Sequence, residues 1–101
     1  MITCFLRYEI DQDKLAEFEN YAKMWIPLVQ KFGGKHHGYF LPSEGASDIA
    51  YALFSFPSLA DYEEYRQRAA DDEECRKAMD YYRETKCFKR YERSFLSPVF
   101  E

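Results

Sequence analysis

Cysteine is scarce in this chain and follows no recognisable pattern. The three cysteines, Cys4, Cys75 and Cys87, lie far apart, and their odd number and spacing match neither a disulfide framework nor a zinc site. Cys4 and Cys87 fall in apolar, strand-like segments, where a free cysteine behaves as a small hydrophobic residue. We therefore expect a protein without disulfides in a reducing cytoplasm.

Long apolar runs and basic segments are also missing. No run approaches the roughly 18 apolar residues that a membrane helix needs. Residues 1–7 lack the basic and apolar regions of a signal peptide. The net charge of −4 disfavours a nucleic-acid partner. The sequence thus predicts neither membrane insertion nor nucleic-acid binding.

Motifs that carry chemistry are equally rare. The segment GGKHHG at 33–38 has no Lys-Ser or Lys-Thr pair and precedes a strand, so it does not match a phosphate-binding loop. No serine, threonine or cysteine stands in a nucleophile motif. The sequence points to no cofactor.

Aromatic residues, in contrast, are abundant. Nine Tyr, nine Phe and one Trp occur in only 101 residues. Aromatic side chains bury large areas and dominate cores and interfaces. So many in one small chain suggest more apolar surface than a monomer can hide, which favours a homodimer.

Hydrophobic periodicity and turn residues divide the chain into six main elements. Pro27 should kink the first helix, and Gly33-Gly34 should end it. Ser58 and Asp61 resemble a capping box for the second helix. The patterns predict strands at 2–9, 35–41, 49–56 and 86–96, helices at 15–32 and 59–70, and a further helical piece from Cys75 to Tyr82 after a break at 71–74.

The predicted order β-α-β-β-α-β is the ferredoxin-like α+β plan, with a four-stranded antiparallel sheet and its helices on one face. The strand at 49–56 is apolar on both sides, so the second face of the sheet should also be covered. Two sheets packed face to face would cover it. We therefore predict a single domain, residues 1–101, in a dimeric α+β barrel.

Four segments resemble the NIPSNAP family, within the wider group of dimeric α+β-barrel proteins that includes antibiotic-biosynthesis-type monooxygenases. They read LRYEIDQDKLAEFENYA (6–22), WIPLVQKFGGKHHGYFLPSEG (25–45), AYALFSFPSLADYEEYR (50–66) and RYERSFL (90–96). The resemblance implies the dimeric barrel fold and a small bacterial form. It implies no set of catalytic residues.

The two histidines, His36 and His37, are adjacent on a predicted strand. Neighbouring strand residues point to opposite faces, so the pair cannot chelate one metal from a regular strand, and no metal site is predicted. One histidine should therefore face the helices and the other the interior of the predicted barrel. If His37 faces the barrel interior, Tyr39 and Leu41 face it too. If His36 does, Gly38 and Phe40 join it. The first set looks more like a ligand wall, which makes His37 and Tyr39 the candidates for binding and for acid–base catalysis.

Charged and polar strand residues give the remaining candidates. Arg7 lies in the middle of a strand and needs a partner, either a carboxylate such as Glu92 or, together with Arg90, an anionic ligand. Tyr51 alternates with apolar residues and can place its hydroxyl inside the barrel. The predicted ligand-binding set is Arg7, His37, Tyr39, Tyr51 and Arg90.

Three functions are compatible with these patterns. The first is binding of a small apolar or aromatic molecule in the barrel of a homodimer. The second is a cofactor-free monooxygenase or isomerase, with proton transfer by His37 or Tyr39. The third is a non-catalytic module that docks a protein partner, with the acidic residues 61–74 as its contact surface.

Overall fold

The computed structural model describes residues 1–100 and contains two layers, a sheet and a set of helices. Its Cα atoms extend over 36 × 36 × 18 Å. The strands are β1 (Ile2–Ile10), β2 (Lys35–Phe40), β3 (Ile49–Phe56) and β4 (Phe88–Leu96), and the helices are α1 (Leu15–Lys31), α2 (Leu59–Asp71) and α3 (Glu73–Thr85), with a short 3₁₀ turn at Gln12–Lys14. The predicted order of elements is confirmed.

The four strands form one antiparallel sheet in the order β2-β3-β1-β4. Every second strand residue packs beneath the helices, as Leu6, Tyr8 and Phe54 do in the main hydrophobic cluster. Phe18 and Val29 of α1 contribute to the same cluster. The helices therefore cover only one face, which confirms the α+β, ferredoxin-like architecture.

Short polar residues set the helix ends where the sequence placed them. The Ser58 hydroxyl accepts the Asp61 N–H at 3.2 Å and donates to the Asp61 carboxylate at 2.7 Å. Asp72 ends α2 and caps α3, since its carboxylate accepts the Cys75 N–H at 3.0 Å. A hydrogen bond from Lys31 lowers the pKa of Asp72 to about 2. The predicted break at 71–74 is thus a cap shared by two helices.

Helix α1 runs through Pro27 as one helix and ends at a glycine pair. Gly33 has a φ of +92°, the left-handed conformation that favours glycine, and the Gly34 N–H donates to the Val29 carbonyl at 3.0 Å. A Cβ on Gly34 would lie 2.7 Å from atoms of both Phe56 and Val29. Glycine at position 34 therefore allows the chain that follows α1 to lie directly against Val29 of α1 and Phe56 of β3.

The other face of the sheet, which we call the open face, has no helix over it. Its exposed apolar side chains include Phe40 at 52%, Tyr51 at 37% and Leu96 at 45% exposure. Phe5 and Tyr51 stack on this face with ring centroids 5.5 Å apart. As predicted, β3 carries apolar side chains on both faces, and those on the open face are not covered by any helix in residues 1–100.

Candidate functional site

A cavity of about 200 Å³ lies between the sheet and the helices. Leu6, Tyr8, Tyr39 and Phe54 from the strands line one side of it. The helical layer lines the other side with aromatic and apolar side chains, which include Tyr21, Trp25, Tyr62, Tyr65, Ala69 and Met79. The walls are thus mainly aromatic, as in many small-molecule pockets.

A β-bulge in β2 decides which histidine enters this cavity. His36 is opposite Phe54 on β3, and Gly38 is opposite Leu53. The step from His36 to Gly38 is two residues along β2, but the matching step from Phe54 to Leu53 is only one residue along β3. The extra residue reverses the alternation of side chains, and Gly38 has a φ of +111° at this point. His36 and Tyr39 consequently share the helix-covered face, and both line the cavity.

The predicted grouping of His37 with Tyr39 is therefore wrong. The His37 Nε2 lies 2.7 Å from the Ser55 hydroxyl, which is 2.7 Å from the Thr3 hydroxyl, on the open-face side of the sheet. The alternative grouping of His36 with Gly38 and Phe40 is also wrong, because Phe40 is exposed on the open face. The prediction that the two histidines serve opposite faces is correct.

The ring of His36 is held by two contacts and leaves one nitrogen free. Its Nδ1 accepts the Gly38 N–H at 2.9 Å, and the ring stacks on Tyr39 with centroids 5.1 Å apart. Burial, with a smaller contribution from His37, lowers the pKa of His36 to about 4. The neutral ring accepts at Nδ1, so its proton is on Nε2. That buried Nε2 has no hydrogen-bond partner among residues 1–100.

A second buried donor in the cavity wall is the indole of Trp25. Its Nε1 also lacks a hydrogen-bond partner within the described part of the chain. Trp25 packs against the core cluster and also lines the cavity. A buried unpaired donor costs on the order of 1–3 kcal/mol. The Trp25 indole lies close enough to the Tyr21 hydroxyl to oppose the rise in the pKa of that phenol, so the unpaired Nε2–H of His36 is the clearer indication of a ligand with an acceptor atom.

Two exposed arginines lie where the cavity opens to solvent. Arg66 of α2 donates to the Tyr62 hydroxyl at 2.9 Å, and Arg93 of β4 donates to the Tyr91 hydroxyl at 3.3 Å. Arg66, Tyr91 and Arg93 all line the cavity. The cavity therefore combines aromatic walls with a positively charged mouth, contributed by one helix and one strand.

The titratable groups of the wall are poor proton acceptors at neutral pH. Burial raises the pKa values of Tyr8, Tyr21, Tyr39 and Tyr65, so their hydroxyls stay protonated. Burial also raises the pKa of the neighbouring Cys4 thiol to about 11, so this thiol stays protonated at neutral pH. The nitrogen of His36 that could take a proton already accepts the Gly38 N–H.

The other predicted site residues lie outside this cavity. Arg7 and Tyr51 are opposite each other on the open face. Arg7 has no carboxylate within 4 Å in residues 1–100, and Glu92 is instead bound by Arg90, at 3.0 Å. The predicted Arg7–Glu92 ion pair is therefore not formed. Of the predicted ligand-binding set, only Tyr39 lines the cavity.

Sequence reasoning preferred His37 to His36 and did not single out Arg66 or Arg93 as site residues. The signal for His36 was Gly38, because a glycine inside a strand often marks a bulge. The two arginines had no comparable signal, since α2 and β4 are distant in sequence.

The acidic segment 61–74, the predicted contact surface for a protein partner, is partly neutralised by nearby bases. Arg68 lies 3.9 Å from Glu64, and Lys31 lies 2.7 Å from Asp72.

Two absences concern the part of the chain that the structure covers. In residues 1–100, no helix combines the length and apolar character needed to cross a membrane. The same residues contain no cluster of three or more His, Cys, Asp or Glu side chains arranged to hold a metal ion.

Fold and site together define an α+β protein of ferredoxin-like topology with an aromatic cavity under its helices. The NIPSNAP family pattern matches residues 4–100, nearly the whole chain. The protein belongs to the NIPSNAP family. Comparison with curated proteins gives no match.

Solved structures share this fold over almost their full length. A NIPSNAP family protein of unknown function from Agrobacterium tumefaciens has a TM-score of 0.82 at 19% identity, with 98% of this chain and 88% of that chain covered. An uncharacterised NIPSNAP domain protein from Burkholderia xenovorans gives 0.80 at 17% identity, covering 98% and 95%. A candidate antibiotic biosynthesis monooxygenase from Nitrosomonas europaea gives 0.75 at 9% identity, covering 99% and 100%. These similarities establish the fold.

Proposed function

We propose that this protein is a homodimer that binds a small aromatic molecule in the cavity of each protomer. The observation that carries the proposal is the unpaired Nε2–H of His36 within an aromatic-walled cavity. The proposed ligand therefore lies on the helix side of the sheet, whereas Arg7, His37 and Tyr51 lie on the open face.

The volume of the cavity limits the ligand to about one ring. Drug-sized ligands occupy pockets of roughly 300–1,000 Å³, whereas an apolar cavity of about 150 Å³ holds one benzene molecule. At about 200 Å³, the cavity has room for a single substituted ring. Offset and edge-to-face contacts with Tyr8, Tyr39 and Tyr62 would orient it.

Binding is favoured over proton-transfer catalysis. A general base works best with a pKa near the working pH. His36 has a pKa of about 4 and its acceptor nitrogen is occupied, while burial raises the pKa of Tyr39. The similarity to a candidate monooxygenase is one of fold, so the cofactor-free enzyme stays a second candidate that requires a base from elsewhere.

The open face supports the dimer. The Cα atoms of the whole molecule extend over 36 × 36 Å along its two longer axes, so one of its faces has room for the roughly 800 Å² per partner of a standard interface. Phe40, Tyr51 and Leu96 would lose their exposure when two such faces meet. Light scattering should then give about twice the monomer mass of 12.1 kDa.

Three buried cysteines without disulfides fit a reducing compartment, and we therefore place the protein in the cytoplasm. The NIPSNAP relatives described above come from bacteria, which supports a bacterial origin.

Cavity filling tests the binding proposal. Ala69 is buried and lines the cavity, whereas the adjacent Ala70 on α2 is exposed. Ala69→Leu should abolish binding of phenol and toluene in titration calorimetry, while the matched Ala70→Leu variant should bind both as the parent does. Equal binding by all three proteins would place the ligand elsewhere. Thermal melting checks that both variants are folded.

A further inference from the structure

We infer that the ligand is a monocyclic aromatic carboxylate with an oxygen substituent on its ring, held by Arg66 and Arg93 at its carboxylate and by His36 at its ring oxygen. This inference rests on the proposed function, because it identifies the class of ligand for the same cavity.

The first argument is the pairing of arginines in the molecule. Four arginines lie within 4 Å of a carboxylate, and these are Arg68, Arg76, Arg83 and Arg90. Arg66 and Arg93 have no carboxylate within that distance in residues 1–100. Both of them line the cavity, and none of the paired arginines shares that opening. Two of the three arginines that lack an acidic partner in residues 1–100 thus lie at its mouth, and the third, Arg7, lies on the open face.

Each of these two side chains uses only part of its donor capacity. Arg66 donates through one nitrogen to the Tyr62 hydroxyl, and Arg93 does so to the Tyr91 hydroxyl. A guanidinium has five N–H donors in a planar fork that matches a carboxylate. The tyrosine contacts hold the side chains at the mouth, and the remaining donors stay available for an anion.

The second argument comes from the hydrogen-bond donors in the cavity wall. His36 presents an unpaired Nε2–H, and Trp25 an unpaired Nε1–H, both buried in the cavity wall. Neither can accept a hydrogen bond in this state. A purely hydrocarbon ligand would leave both donors without an acceptor. A hydroxyl or carbonyl oxygen on the ring would accept from His36 and remove that cost.

The third argument is the distribution of polarity along the site. The exposed arginines lie at the mouth, the tyrosines form much of the wall, and the partly buried, neutral His36 lines the same cavity with its Nε2–H buried. Because burying an unpaired charge is costly, the carboxylate belongs at the mouth and the ring belongs inside. A ring with one oxygen fits within about 200 Å³ when the carboxylate stays at the opening.

Three probes separate the two ends of the ligand: 4-hydroxybenzoate, benzoate and phenol, each titrated into the intact protein by calorimetry at low salt. The parent should bind 4-hydroxybenzoate roughly tenfold or more tightly than phenol, as expected for charge-assisted hydrogen bonds. Arg66→Gln and Arg93→Gln should each weaken both carboxylates several-fold and leave phenol unchanged. Arg68→Gln is the matched control on α2, and it should change none of the three affinities.

His36→Phe keeps a ring but removes the donor. It should weaken 4-hydroxybenzoate and phenol several-fold and leave benzoate unchanged, whereas His37→Phe on the open face should alter none of them. Circular dichroism reports whether each variant is folded. If His36→Phe is not folded, the arginine variants still decide the carboxylate part of the inference.

The outcomes separate this inference from the proposed function. One outcome is that Ala69→Leu abolishes phenol binding while the parent binds 4-hydroxybenzoate no more tightly than phenol. This outcome would overturn the inference and would leave the proposed aromatic binding site standing. Equal losses for phenol and 4-hydroxybenzoate in the arginine variants would also overturn it. If no probe binds to the parent, both the inference and the proposed function fail.

Discussion

The two faces of the sheet differ in what covers them, although both are rich in aromatic residues. On the helix-covered face, Tyr8 is 4% and Phe54 is 6% exposed, whereas Tyr51 and Phe40 on the open face are 37% and 52% exposed. The strands alternate between these faces, so each strand serves two environments. The chain therefore contains enough apolar side chains for two layers but only one layer of helices.

The two faces also differ in their polar groups. On the open face, His37, Ser55 and Thr3 satisfy one another through short hydrogen bonds. On the helix-covered face, His36 and Trp25 each keep an unpaired buried nitrogen. Buried polar groups in proteins are nearly always bonded, so exceptions call for an explanation. This contrast points to self-association through one face and ligand binding behind the other.

Leu53→Glu should have the largest effect, because it introduces a charge at the centre of the open face in both copies of a dimer. Leaving one ion buried and unpaired costs about 3–5 kcal/mol. Light scattering should show the mass falling from about twice 12.1 kDa to the monomer value. Leu59→Glu, at an exposed position of α2, is the control and should leave the mass unchanged. A parent protein that is already monomeric at micromolar concentration would refute the dimer.

Phe18→Ala tests the covered face. Phe18 has no exposed surface and touches the rings of Tyr8, Tyr39 and Phe88. Truncation should lower the free energy of unfolding by about 3–5 kcal/mol, since it removes buried surface and leaves a cavity. Urea denaturation measures this loss. A change below about 1 kcal/mol would mean that this layer is loosely packed.

Gly34→Ala tests how tightly α1 closes onto the sheet. The new Cβ would lie 2.7 Å from atoms of Val29 and Phe56, so overpacking should cost about 1–3 kcal/mol of stability. Gly33→Ala serves as its comparison, because nothing lies within 4 Å and only its φ of +92° is unfavourable, at about 1 kcal/mol. Equal losses for the two variants in urea denaturation would contradict the close approach.

The smallest expected effect is the pH dependence from His36. Its pKa of about 4 in the folded protein is below the ordinary 6.5, so the unfolded chain binds the extra proton between these values. The contribution of the neutral His36 ring to the free energy of unfolding should be fully present above pH 6.5 and should be lost as the pH decreases toward 4. Because the ring is only partly buried, we expect a loss of about 1–2 kcal/mol rather than the full linkage value.

His36→Phe is the control for this pH series, because it removes the titrating group. Urea denaturation between pH 7 and 4.5 should show a smaller decrease in stability for this variant than for the parent. Identical decreases would assign the effect to other groups. The low pKa of Asp72 does not interfere, since its loss of stability begins only below about pH 4.

The local signals in the sequence determined most of the fold. Period-two and helical patterns placed the strands and helices, and short polar residues such as Ser58 and Asp72 marked the helix ends. Gly33-Gly34 ended α1 as predicted. These features depend on backbone conformation within a few residues, so the printed sequence contains the information for them.

Only the tertiary structure decided the site. The sequence left open which of His36 and His37 faces the helices, because one extra residue in a strand reverses every side chain after it. The pairing of β2 with β3 placed that residue before Gly38, and so brought His36 rather than His37 into the cavity. Arg66 and Arg93 line the same cavity only because the folded chain brings α2 to β4, where the Tyr62 and Phe95 rings lie 4.9 Å apart. Such contacts arise from the packing of whole elements, on which local patterns of residues carry no information.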